Sequence, residues 1–305
     1  MVQAAERCQA ANTYGAGNEF SIGISIASVT HLAPGATESL FEATAEVATA
    51  IDQAGADLLA VPDHVMQMKI GGGADAPMLE AYTLLGALAA TTSRTRLGAF
   101  VTPASMRNPA LLAKSVTTVD VVSAGRAVLG IGAGVNAEEH LAYGIEFPAI
   151  GTRMARLEET LAICSKMFSQ RMTTFQGEHF GVTDARNIPT PVQVRLPILI
   201  GGGGEKFTLP LVARFADVSN LPPAADDAEL RAKLETIDAL CEKNDRDPRE
   251  IHRTAFLMQP ESVDALRKRA AELMALGFQG VIIAAATATP DLVTSWIEAI
   301  RSDFG

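Results

Sequence analysis

The chain has 305 residues, 48% of them hydrophobic and 20% charged, which suffices for one large domain or two ordinary ones and excludes disordered, collagen-like and disulfide-stapled classes. With 25 basic against 35 acidic residues the net charge is −10, and no basic run is present to attract nucleic acid or an anionic membrane. Three widely spaced cysteines, Cys8, Cys164 and Cys241, predict free thiols in a reducing compartment. No apolar run reaches the roughly 18 residues of a membrane span, so a cytoplasmic location is expected. Residues 1–19, small and polar, read as an N-terminal arm ahead of a single domain over 20–305.

The first predicted strand is Phe20 to Ala27. Leu40, Phe41, Thr44, Val47, Ala48 and Ile51 then recur at helical spacing, with a capping-box pattern at Ser39 and Glu42 and a stop at Gly55. Asp57 to Val61 reads as the second strand, Leu79 to Ala90 as a helix and Thr95 to Val101 as the third strand, while Asn108-Pro109 supplies the cap and first residue of the third helix. Ala127 to Ile131 forms a fourth strand, followed by a helix with Met154, Leu157, Leu161, Cys164 and Phe168 on one face. The polar, glycine- and proline-bearing stretch 171–195 reads as an insertion with room for short strands, and as a lid, a dimer contact or a surface excursion.

The alternation resumes with Pro197 to Ile200 and a helix from about Lys206, then Ala216 to Ser219 and a helix using Leu230, Leu234, Ile237 and Leu240. Thr254 to Met258 with Val263, Leu266, Ala270 and Leu273, and Gly280 to Ala284 with the helix opened by Thr289-Pro290, complete the series. Such strand–helix repetition forces parallel strands, because each crossover returns the chain to the same end. The absence of a glycine-rich turn after the first strand favours a closed (β/α)8 barrel of the α/β class over an open doubly wound sheet. Function is then expected at the carboxyl ends of the strands.

By that rule Asp63 and His64, ending the second strand, are the foremost catalytic candidates, since an imidazole exchanges protons near neutral pH and a neighbouring carboxylate orients it. The same pair also reads as a strand-end cap. Gly201, Gly202, Gly203 and Gly204, followed by Glu205 and Lys206, leave a strand and enter a helix, a pattern that reads as a phosphate cradle of backbone N–H groups or as a tight βα turn. Gly130 to Gly134 leave space for a flat ring or for close strand packing; the following Asn136, Glu138, Glu139 and His140 are candidates for the rim, with a solvated helix start favoured for the two glutamates. Met66, Met68, Met78, Phe100, Met106 and Phe175 are candidates for an apolar substrate pocket or for core. His31, His64, His140, His179 and His252 show no metal-ligand spacing, and no Gly-x-Ser-x-Gly elbow occurs.

Pro62-Asp63-His64, the stretches 95–103, 107–114 and 120–126, Gly132-Ala133-Gly134, Ala142-Tyr143-Gly144, 156–159 and the Gly201 to Gly204 loop together resemble the bacterial luciferase-like monooxygenase superfamily. Within it, the chain is most similar to the deazaflavin (coenzyme F420)-dependent oxidoreductases. The resemblance implies a commonly dimeric (β/α)8 barrel that binds F420, or FMN as the alternative, at its carboxyl face. It implies that His64, with Asp63 beside it, lies near the reacting ring. The end of the third strand, around Phe100-Val101, matches a place where the family often has a non-prolyl cis peptide under the ring, and Gly201 to Gly204 match the loop that receives the cofactor phosphate; Gly132, Gly134 and Glu205 join these as cofactor-binding candidates.

Deazaflavin sugar dehydrogenases carry a glutamate where this chain has Val135 and a tryptophan in the stretch occupied by Val65 to Met68, which argues against sugar-phosphate oxidation. The implied activity is hydride transfer between F420 and a small organic substrate, with His64 exchanging a proton. Oxygen-dependent FMN monooxygenation with a partner reductase, and non-catalytic cofactor binding, are the competing readings.

Overall fold

The computed structural model describes residues 19–33 and 35–305. The reading of an arm before residue 19 and the state of Cys8 lie outside them. Eight parallel strands form the barrel: β1 (Ser21–Ile26), β2 (Leu58–Val61), β3 (Arg96–Ala99), β5 (Ala127–Gly132), β8 (Ile198–Gly201), β9 (Val218–Leu221), β10 (His252–Met258) and β11 (Gly280–Ala285). β1 pairs with β2 on one side and β11 on the other, and the β3–β5 pairing completes the ring. The helices α1 (Leu40–Ala54), α2 (Ala81–Thr91), α3 (Pro109–Val122), α4 (Ala137–Ala142), α5 (Ile150–Ser169), α6 (Thr208–Phe215), α7 (Asp227–Lys243), α8 (Val263–Leu276) and α9 (Pro290–Phe304) connect them. No described helix is long and apolar enough to cross a membrane.

The period-2 alternation of each strand splits the core into two layers. Leu59 and Val61 of β2 face the helices, with Ile22, Ile24, Leu129 and Trp296 in the same layer. Leu58 and Ala60 face inward and join Val128, Leu199, Val218 and Ile282 in a plug that fills the barrel, on which Phe100 and Val101 sit. Each large side chain buried in this way contributes about 1.5–3 kcal/mol. Cys164 and Cys241 are buried free thiols, and burial pushes the Cys164 thiol up to about 12.

Local signals explain most element boundaries. Asn108 accepts the N–H groups of Ala110 and Leu111 ahead of Pro109, and Thr289 accepts that of Leu292 ahead of Pro290. The expected capping box at Ser39 does not form, because Thr37–Ser39 is a turn of 3-10 helix and Ser39, at φ −93° and ψ −1°, is already coiled as helix and makes no side-chain cap bond. The third strand also departs from a continuous 95–101 run. It stops at Ala99, passes through a cis peptide at Phe100-Val101 and resumes as a two-residue strand, β4 (Thr102–Pro103).

Against β5, Gly98 faces Val128 and Thr102 faces Ile131, so Ala99, Phe100 and Val101 stand opposite only Leu129 and Gly130. This is a bulge of one residue. Only glycine fits at position 130, where a Cβ would lie 1.9 Å from the Ala99 carbonyl oxygen.

The 171–195 insertion is an antiparallel hairpin of β6 (Met172–Gln176) and β7 (Gly181–Arg186). Its turn is held by the Glu159 carboxylate, which accepts the N–H groups of Glu178, His179 and Phe180. Because it connects α5 to the start of β8, it lies at the amino-terminal end of the strands, which removes the lid reading.

Candidate active site

β2 ends in two polar residues with opposite fates. The Asp63 side chain is 3% exposed and turns away from the barrel mouth to accept two hydrogen bonds from Arg107, Nε at 2.7 Å and Nη2 at 2.5 Å. Arg107 also bonds Glu80, the N-cap of α2, and stacks over the Tyr82 ring. Burial by itself would make Arg107 easier to deprotonate, but the bonds and charge of Asp63 outweigh it and hold the guanidinium charged. Burial likewise works to raise Glu80, and hydrogen bonds from Thr83 and Arg107 prevail, bringing it to about 2. Asp63 therefore ties three segments together behind the site and does not orient His64.

His64 is oriented by Glu139. Its Nδ1 lies 2.8 Å from Glu139 Oε1, and Oε2 of the same carboxylate accepts the Val65 N–H at 3.2 Å. Glu139 sits in α4, whose start is set by Asn136 accepting the N–H groups of Glu138 and Glu139. Its side chain is 1% exposed, so it is not the solvated helix-start residue expected from the sequence. His140, the next residue, is buried and bridges the Asn136 carbonyl and the Ser105 hydroxyl, which fixes the loop that carries Glu139. With Nδ1 engaged, Nε2 of His64 has no protein partner among the described residues.

His64 lies on the wall shared by two lobes of a cavity at the carboxyl ends of the strands. The smaller, about 410 Å³, is lined by Phe100, Val101, Gly132, Gly134, Gly201 and Gly202, together with His64 and Glu139. The larger, about 800 Å³, is reached past His64, Phe100, Val135 and Phe256. Met66, Met68 and Phe100 line it; Met78, Met106 and Phe175 do not.

Gly203, Gly204 and Glu205 lie beyond the lined wall, in the turn that leads to α6. Gly202, at φ +129°, turns the chain there while its N–H bonds the Asn220 carbonyl. The N–H groups of Phe207, Thr208 and Leu209 all return to the Gly204 carbonyl, so the helix starts at Thr208 and not at Lys206. Among the described residues no acceptor takes the N–H groups of Gly203, Gly204, Glu205 or Lys206. Four consecutive backbone N–H groups thus stand beside an apolar lobe without a protein acceptor among the described residues.

Comparison with known proteins agrees with this architecture. The chain is 35% identical over 165 residues to the F420-dependent glucose-6-phosphate dehydrogenase of Kineococcus radiotolerans, a match over 54% of this chain and 48% of that protein. The chain thus spans about half the length of the curated relatives it matches. The coenzyme F420-dependent tetrahydromethanopterin reductase of Methanopyrus kandleri superposes with a TM-score of 0.75 at 15% identity, over 94% of this chain and 100% of that one. The oxygenating constituent of the 3,6-diketocamphane monooxygenase of Pseudomonas putida, solved with FMN, gives 0.72 at 14%, over 94% and 98%. These two likenesses concern the fold, which both cofactors therefore share. The luciferase-like monooxygenase family model matches residues 21–299, and with strands, bulge and mouth placed as described, the chain belongs to that family.

Proposed function

We propose that this chain is an F420-dependent oxidoreductase in which His64 exchanges a proton with an organic substrate. The observation that carries the reading is the His64–Glu139 pair on the wall between the two lobes. The names of the curated relatives support the choice of deazaflavin over FMN. The site fits such a cofactor: the smaller lobe offers the apolar faces of Phe100, Val101 and Phe256 and the low profile of Gly132 and Gly201 to a tricyclic ring. The N–H groups of Gly203 to Lys206 would hold its phosphate.

When bound, the deazaflavin supplies a ring carbon that accepts or releases a hydride and lacks the flavin nitrogen chemistry that activates oxygen. The protein does the rest. Phe100 and Val101 line the ring site, where a bound ring would be shielded from water on the side that faces them. The carboxylate on Nδ1 fixes the His64 tautomer, leaving the Nε2 lone pair to take the substrate hydroxyl proton. Glu139 then faces the imidazolium that forms, and in the reverse direction Nε2 returns the proton. Asp63 positions the strand end through Arg107. A homodimer belongs to the same reading, in keeping with the exposed Leu111 and Val122 on α3, and sedimentation equilibrium tests it.

The experiment is a side-by-side fluorescence titration of cofactor-stripped protein with F420 and with FMN, followed by oxygen uptake. Tighter F420 binding without oxygen consumption is expected. FMN preference with oxygen uptake would move the function to monooxygenation, and binding of neither would remove the cradle assignment.

A further inference from the structure

Lysine side chains belong at the surface, yet Lys233 of α7 is only 9% exposed. Its stem lies against the glycine loop. A Cβ built at Gly203 would meet Lys233 Cε at 3.2 Å, Lys233 Cδ at 3.4 Å and Pro222 Cδ at 3.3 Å, so the absence of a side chain at 203 lets both residues close on the backbone there. Pro222 also lines the smaller lobe, which places Lys233 where that lobe gives way to the loop. The ammonium is one bond beyond Cε, beside the first of the four N–H groups that have no protein acceptor among the described residues.

The helix alone does not account for this position. Lys233 Nζ donates to the Glu229 carboxylate one turn earlier in α7, and the other oxygen of that carboxylate accepts the Ala225 N–H. A helical pair at this spacing contributes about 0.2–0.5 kcal/mol, which is small against the cost of drawing an ammonium out of water. Two of its three N–H donors have no protein acceptor among the described residues. Lys206, the other lysine beside the loop, is exposed, and its Nζ lies 5.0 Å from the centroid of the Phe207 ring.

We infer that Lys233, within the cofactor reading on which this rests, supplies the positive charge for the cofactor's phosphate. Glu229 holds the ammonium over Gly203, and the phosphate lands between it and the N–H groups of Gly203 to Lys206. Backbone N–H groups carry only partial charges, and an anion leaving water for a half-buried loop is held far more strongly once an ionised donor joins them. The site then distinguishes a phosphorylated cofactor from the same ring and polyol without phosphate.

The test titrates the full chain and its variants with F420 and with the deazaflavin that carries the polyol but no phosphate. Lys233→Met and Lys233→Gln should each raise the F420 Kd by about 10- to 100-fold and leave that of the phosphate-free compound unchanged, which also reports an intact fold. Lys233→Arg should recover most of the loss, and Lys206→Met should cost no more than about threefold. Added salt should weaken F420 binding to the wild type more steeply than to Lys233→Met. No loss in the Lys233 variants, an equal loss for both compounds, or as large a loss in Lys206→Met overturns the inference and leaves the cofactor reading standing. If FMN loads and F420 does not, the cofactor reading fails, and FMN against riboflavin decides Lys233: a loss confined to FMN supports its role, and any other pattern overturns it. Binding of neither cofactor overturns both.

Discussion

The two ends of the barrel handle polar groups in opposite ways. At the amino-terminal end, carboxylates pin the strand starts: Asp52 accepts the N–H groups of Ser93, Arg94 and Thr95, Asp57 that of Ile22, Asp120 those of Ala127 and Val192, and Asp217 that of Ile198. Arg126 adds five hydrogen bonds to Ser123, Thr92, Thr95 and Ala89. At the carboxyl end, His64 Nε2 and the N–H groups of Gly203 to Lys206 are left without protein partners among the described residues. The amino-terminal end spends its polar groups on holding the ring together, whereas the carboxyl end combines such anchors, Asp63 and His140 among them, with groups that have no protein partner.

That division can be broken from either side. The largest expected effect is His64→Ala, which should lower kcat by about 10²–10⁴-fold while F420 affinity and thermal stability stay near wild type, as fluorescence titration and calorimetry would show. Arg126→Met should do the reverse. It strands four carbonyl oxygens in the interior and is expected to cost about 3–5 kcal/mol in urea unfolding, with the F420 Kd unchanged.

Glu139→Gln tests the link inside the mouth, with an expected fall in kcat of about 10²-fold and an altered pH profile, because the amide fixes the His64 tautomer less well. A merely structural role for Glu139 would lower stability and leave the profile in place.

A smaller effect concerns acid stability. Burial lowers His252 from 6.5 to about 4, and its Nε2 lies 2.7 Å from the Ser21 hydroxyl. The folded form resists protonation that the unfolded chain accepts, so the stabilisation is complete above pH 6.5 and is lost as pH falls toward 4. Between pH 7 and 5 the wild type should lose about 2 kcal/mol more than His252→Gln in paired urea titrations. Equal losses would mean that the buried imidazole does not govern the acid limb.

Sequence reading reached the fold because its signals are local. Asn108-Pro109 and Thr289-Pro290 announce helix starts within three residues, and the strand–helix repetition follows from hydrophobic period alone. Ser39 and Glu42 carry an equally local signal, yet the preceding 3-10 turn overrides it.

The site was legible where it follows from the barrel rule, as for His64 and the wall of Gly132, Gly134, Gly201 and Gly202. It was illegible where the partner is remote. Glu139 stands 75 residues from His64, and Arg107 stands 44 from Asp63. Nothing in the window around Asp63-His64 tells that the carboxylate beside the imidazole serves an arginine while a distant one serves the imidazole.

The ring is closed by its first and last strands. β1 runs beside β11 from Ser21↔Gly280 to Ile26↔Ala285, the Phe20 N–H bonds the Phe304 carbonyl, and the two phenyl rings lie 5.9 Å apart. During synthesis, that flank of β1 has no mate until nearly all of the described chain has been made. A nascent chain must therefore carry an open strand edge while it waits, exposed to pairing with other chains. The commitment to the closed barrel is consequently a late, long-range event, and its speed is governed by how quickly two distant segments find each other.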